Sequence, residues 1–254
     1  MPEPEFLFLN AMTTELCAYS VDACRVASRA GVTRVELCAS PWEGGTTPSA
    51  ATIRRARLVP CIGLQVMIRP RGGDFCYTDD EVEQMAEEIR FAASCGADGV
   101  VVGLLTPDGE VDRERLKFLV AAAGGREVTF HRAFDMARDP YEALEAVIAC
   151  GCRRILTSGG CNRAVEGIDT LRGLVARAAG RVEIMAGSGV DASNARLLAS
   201  AGVDALHFSA RGWHESPMRF RNPRVSMGGV EGVPEYAAMC ADEALVRQIL
   251  RALE

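Results

Sequence analysis

The tripeptide Glu-Leu-Cys occurs twice, at 15–17 and 36–38, and each time sets a carboxylate and a thiol two residues apart. Soft thiolates favour Cu(I), which accepts few ligands. Cys17 and Cys38 are therefore candidate copper ligands, with Met67 or His207 as a third donor. The alternative is that both are small buried fillers, since free cysteine is among the most buried residue types. A second set suits acid–base chemistry. Glu36 and His131 could move protons, because histidine titrates near neutrality and burial tunes glutamate upward. Arg69 and Arg71 could hold a carboxylate or phosphate through paired N–H groups. Asp135 and His207 complete the reacting or orienting set, although Asp135 with Arg132 equally suits a loop brace. For His131 the competing role is a hydrogen-bonded core histidine. Three small-residue runs look like an anion cradle: Ser158 and Gly159 in TSGG, then Gly187, Ser188 and Gly189, then Ser209 ahead of Arg211. The competing explanation is plain tight turns.

These residues can cooperate only if the chain brings them to one place. Four helix-like stretches close on a small residue plus glycine, at Gly31, Gly96, Gly151 and Gly202, and each runs into a short apolar strand. The intervals between these glycines suit two helix-strand units each, and repeated βα units in one chain mean a parallel sheet. The expected strands are about 15–18, 34–38, 64–69, 99–103, 127–131, 154–157, 182–186 and 205–209. Eight such strands in 254 residues fit an α/β fold, a single (β/α)8 TIM-type barrel whose reactive rim lies at the carboxyl ends of the strands. Residues 1–13 read as a loose extension, 210–234 as an irregular segment, and 242–253 as a closing helix. Several strands alternate instead of being apolar throughout. Leu16, Val35, Leu37, Val66, Ile68, Val128, Phe130, Leu206 and Phe208 form one set. Glu15, Cys17, Glu36, Cys38, Arg69, His131, His207 and Ser209 form the other. Successive strand residues face opposite sides, so the apolar set belongs under the helices and the polar set inside the barrel. A buried polar network that merely fills the barrel would show the same pattern.

Composition narrows the function. The net charge is −6 with both signs scattered, and no basic stripe marks a nucleic-acid partner. No apolar run approaches the length of a membrane span, and the acidic start lacks a basic leader region, so the expectation is a cytoplasmic protein. Ten dispersed cysteines without a CxxC pair fit free thiols in a reducing compartment. Lys117 is the single lysine among 28 basic residues and sits in a helical pattern, which removes a Schiff-base aldolase. A hard divalent ion on Glu36, His131 and His207 would suit an isomerase-like reaction, but that ligand set is sparse. No organic cofactor is expected.

The blocks VELCASPWEGGTTPS (35–49), VMIRPRGGDFCYTDDE (66–81), VTFHRAFDM (128–136), ILTSGG (155–160) and SPMRFRN (216–222) resemble the CutC copper homeostasis family from about Thr14 to the end. The resemblance implies a TIM-type barrel in a cytoplasmic homo-oligomer, a dimer by preference, and an association with copper. It also implies that the family's proposed copper ligands fall on Cys17 and Cys38. The function expected is copper binding through barrel-strand cysteines. The alternative is an enzyme acting on a small phosphorylated or carboxylated metabolite.

Overall fold

The computed structural model describes residues 12–227 and 232–254. Most of the expected N-terminal extension, residues 1–11, therefore lies outside the described residues. Eight parallel strands, β1 (Thr13–Ala18), β2 (Arg34–Leu37), β3 (Gly63–Met67), β4 (Gly99–Val102), β5 (Glu127–Phe130), β6 (Arg154–Thr157), β7 (Glu183–Gly187) and β8 (Ala205–Phe208), form a closed barrel in sequence order. Closure is made by β8 against β1, with His207 opposite Glu15. Helices α1 (Val21–Ala30), α2 (Ala50–Arg57), α3 (Asp79–Ser94), α4 (Arg113–Ala122), α5 (Pro140–Ala149), α6 (Ile168–Ala178), α7 (Ala195–Ala199) and α8 (Glu243–Leu253) follow the strands.

The alternation in sequence does what strand geometry requires. The apolar set packs with helix side chains such as Val26, Ile53, Met85, Leu116 and Leu171 in one continuous core. The other set faces the barrel axis, where Cys17, Cys38, Met67 and Val101 form one small cluster and Leu156, Met185 and Ala205 another. Deeper in the barrel, charges are neutralised in place. Arg34 meets Glu15 at 2.5 Å, and Arg154 meets Glu183 at 2.7 Å and Glu127 at 3.2 Å.

Helix starts follow side-chain capping. Ser20 caps α1, and Asp139 caps α5 with Pro140 at its first position. Before α3 the cap is Thr78, reciprocated by Glu81, and Asp79 and Asp80 stand in the first turn, where negative charge suits the helix N-terminus. Helix α6 starts only at Ile168, well past Ser158 of the TSGG run. Gly159 and Gly167 pass so closely that a Cβ on Gly167 would lie 2.1 Å from the Ser158 carbonyl oxygen, and this contact holds the preceding residues in turns.

The largest departure from expectation follows β8. The segment expected to be irregular contains β9 (Arg211–Glu215), paired antiparallel with β10 (Ala237–Ala241). Neither strand has a strong period, and their pairing spans an intervening arm, so only the folded chain brings them together. Residues 228–231, within that arm, lie outside the described residues.

Candidate functional site

A cavity of about 580 Å³ sits at the carboxyl ends of the strands, enclosed by residues of the strand tips and the following loops. Cys17, Glu36 and His207 line its floor, and a hydrogen-bonded chain runs beneath them. Arg34 holds Glu15, and Glu15 Oε1 lies 2.8 Å from His207 Nδ1. The far nitrogen of His207, Nε2, lies 3.7 Å from Glu36 Oε2. Cys38 Sγ donates to that same Glu36 oxygen at 3.4 Å. Ligand atoms of Cys17, Glu36 and Cys38 all lie within 4.8 Å of one another, as do those of Glu15, Glu36 and His207.

The register explains this convergence. Glu15 pairs with Arg34, Cys17 with Glu36, and Glu15 with His207. Parallel strands lie under 5 Å apart, so neighbouring inward positions touch. Electrostatics then follows from burial. Burial works against the His207 charge, but Glu36, Cys17 and Glu15 outweigh it and hold its pKa well above the usual range. Burial alone would raise Glu15, yet its hydrogen bond and ion pair with His207, aided by Arg34, bring it down to about 2. Glu36 has no such salt bridge at close range, and desolvation pushes it up to about 8. Its Oε1 has no partner among the described residues. The neighbouring Cys38 thiol holds Cys17 well below the ordinary thiol range, while burial carries Cys38 well above it.

The side wall carries His131, directly after β5. Its Nδ1 accepts a hydrogen bond from the Ala133 amide at 3.1 Å and caps the short turn Arg132–Met136. This fixes the Nε2–H tautomer. Burial, reinforced by the nearby Arg69 charge, lowers the His131 pKa to about 3. His131 is thus set as a neutral hydrogen-bond donor through Nε2. Nor does it belong to any cluster of three potential metal donors among the described residues. Nitrogen-15 spectra of the labelled imidazole should show one unchanging Nε2–H tautomer between about pH 5 and 8. Titration within that window would show that the Ala133 bond does not hold. Because the folded pKa lies below the ordinary 6.5, His131 adds stability above about pH 6.5, and that contribution is lost as the pH falls toward 3.

Arg69 enters the cavity wall from the loop directly after β3. Its Nη1 donates to the carbonyls of Glu43 and Gly45, at 2.6 and 3.0 Å, and Nη2 to that of Gly73 at 2.8 Å. Arg71 stands away from the cavity. It binds Glu81 at 2.6 Å and the carbonyls of Gly72, Asp74 and Cys76, and so braces the loop leading to α3.

The expected anion cradle divides in two. The TSGG part is filled by the protein itself. Asp135 accepts from the Ser158 and Gly160 amides at 3.0 Å and from Thr157 Oγ1 at 2.5 Å, and Arg132 completes the clamp at 2.8 Å. Asp135 is therefore the anion of that nest, with Ser158 and Gly159 turned toward the chain. Ser188, Gly189 and Ser209 do line the cavity. Gly187 serves packing, since a Cβ there would lie 2.5 Å from Leu156 Cδ1.

Residue type alone did not single out Glu15, Phe75 or Tyr19. Glu15 orients His207, Phe75 lies 5.1 Å from the His131 ring, and Tyr19 stacks under Arg211. The repeated Glu-Leu-Cys tripeptide is the signal that could have placed Glu15 beside Glu36.

These features define a class: a (β/α)8 barrel with a ligand-sized cavity at its carboxyl rim and soft donors in the floor. The chain belongs to the CutC family, whose model matches residues 12–212. It is 46% identical over 245 residues to a family protein CutC of Porphyromonas gingivalis, covering 96% of this chain and 99% of that protein. It is 43% identical over 241 residues to the copper homeostasis protein cutC homolog of Homo sapiens, covering 94% and 88%. Among solved structures, a CutC copper homeostasis protein of Streptococcus agalactiae superposes with a TM-score of 0.74 at 36% identity, over 77% of this chain and 97% of that one.

Proposed function

We propose that this chain binds monovalent copper as cargo, through Cys17 at the cavity floor and Cys38 packed beside it. One observation carries the reading. Two buried thiols from adjacent strands and the Glu36 carboxylate present ligand atoms within 4.8 Å of one another. Thiolates are the donors Cu(I) selects, and Cys17 is held toward its thiolate form by its neighbours. The chemistry of the donor set therefore fits the ion. Glu36 and His207 would act as the surrounding shell that orients the sulfurs. The copper homeostasis names of the relatives support the same assignment. All ten cysteines are free thiols, which suits a reducing cytoplasm, and no helix among the described residues is long and apolar enough to cross a membrane. Exposed Met218, Phe220 and Met227 on the arm between β9 and β10 support self-association, with a dimer as the expected state.

Anaerobic Cu(I) titration against a chromogenic chelator tests this directly. The wild type is expected to hold one tight equivalent, absent from the Cys17→Ser/Cys38→Ser variant. Glu36→Gln should weaken binding by roughly 10- to 100-fold. A double variant that titrates like the wild type would remove copper from the account of this site.

A further inference from the structure

Two donors in the cavity wall have nothing to donate to. His131 is 4% exposed and Arg69 6% exposed. Neither His131 Nε2 nor Arg69 Nε has a hydrogen-bond partner among the described residues. Both groups line the same cavity and both touch Phe75, whose ring lies 5.1 Å from that of His131 and 5.0 Å from Arg69 Cζ. Arg69 carries a second anomaly. Its guanidinium is satisfied only by the backbone carbonyls of Glu43, Gly45 and Gly73, and it forms no ion pair among the described residues. The other buried arginines do: Arg34 is neutralised by Glu15, and Arg154 by Glu183 and Glu127. A buried charge without a counter-ion is costly, as is a buried donor without an acceptor. Both costs fall on one wall of one cavity.

We propose that the cavity binds a small organic oxyanion, a carboxylate or phosphate monoester, whose oxygens accept hydrogen bonds from His131 Nε2–H and Arg69 Nε–H. This ligand is distinct from copper. It is held on the side wall, whereas Cys17 lies in the floor with Cys38 packed beside it. The fixed tautomer of His131 makes it a permanent donor, and its low pKa keeps the ring neutral, so of these two donors only Arg69 carries a charge. Phe75 between the two donors, with Met67 and Leu156 also lining the cavity, offers apolar surface to the carbon skeleton of such a ligand. At the mouth, Arg211 stacks on Tyr19 without an ion-pair partner among the described residues and adds a second positive charge. Gly103 is required by the arrangement, since a Cβ there would lie 2.3 Å from the His131 ring.

Isothermal titration of the full chain with glycolate, glycerol 2-phosphate and the neutral glycolamide provides the test. Saturable binding of glycolate, of glycerol 2-phosphate or of both, with none of glycolamide, is the expected result, and the pattern tells carboxylate from phosphate recognition. His131→Asn retains an oxygen able to accept from the Ala133 amide but removes the reaching N–H. It should weaken oxyanion binding by about 10- to 100-fold and leave the Cu(I) titration unchanged. Cys17→Ser/Cys38→Ser should do the reverse. The proposal is overturned if neither oxyanion binds, if glycolamide binds as well as glycolate, if His131→Asn binds like the wild type, or if the cysteine variant loses the oxyanion together with copper. Should His131→Asn fail to fold, the discrimination between glycolate and glycolamide by the wild type still decides.

Discussion

Replacing Glu15 with alanine should cost about 3–5 kcal/mol and lower the melting temperature by roughly 6–20 °C. Glu15 is fully buried, accepts from Arg34 at 2.5 Å, and lies 2.8 Å from His207 Nδ1. Its removal leaves the Arg34 guanidinium inside the barrel without a counter-ion and His207 without its orienting partner. A small cavity is the lesser part of the damage. The pH dependence has a definite sign. The Glu15 pKa falls from an ordinary 4.5 to about 2 on folding, so its contribution is fully present above about pH 4.5 and is lost as the pH falls toward 2. Melting curves of wild type and Glu15→Ala should lie far apart at neutral pH and approach each other in acid. Coincident curves at neutral pH would show that the Arg34–Glu15–His207 chain is not a stabilising unit.

The second large effect is expected at the opposite side of the rim. Asp135→Ala should destabilise the protein by about 2–4 kcal/mol, or roughly 4–16 °C in melting temperature. The Asp135 carboxylate accepts from Thr157 Oγ1, from the amides of Ser158 and Gly160, and from Arg132. Thr157 and Ser158 are themselves fully buried, so these donors would lose their acceptor where water does not replace it readily. The same geometry makes a sharper forecast. An empty nest of backbone N–H groups beside an arginine is an anion site, so sulfate should raise the melting point of Asp135→Ala more than that of the wild type. An equal rise in both proteins would mean that the TSGG loop does not preserve a nest once its carboxylate is gone.

Asp135 also shows where reasoning from residue types reaches its end. A run of Ser and Gly announces backbone N–H groups free to take an anion, and that chemistry is right. Whether the anion comes from solution or from the chain is decided by the short turn after β5, which swings Asp135 across to the loop after β6. Arg69 and Arg71 make the same point. They stand two residues apart in one motif, yet one lines the cavity and the other braces the loop outside it. For His131, residue type leaves the tautomer open, and the Ala133 amide fixes it.

The pattern of strands and helices was available from the chain alone, because helix caps, glycine C-caps and period-two alternation are local rules. Alternation also places Glu15, Cys17, Glu36, Cys38, Arg69, His131 and His207 on the inner side, since a strand has only two faces. What alternation cannot supply is height along the axis and the identity of the neighbour. Those come from strand register and barrel closure, which put Glu15 between Arg34 and His207 and leave Arg69 without a carboxylate. Protonation states follow from that arrangement, because burial and partner charges act through distance, and distances between segments far apart in the chain exist only once it has folded.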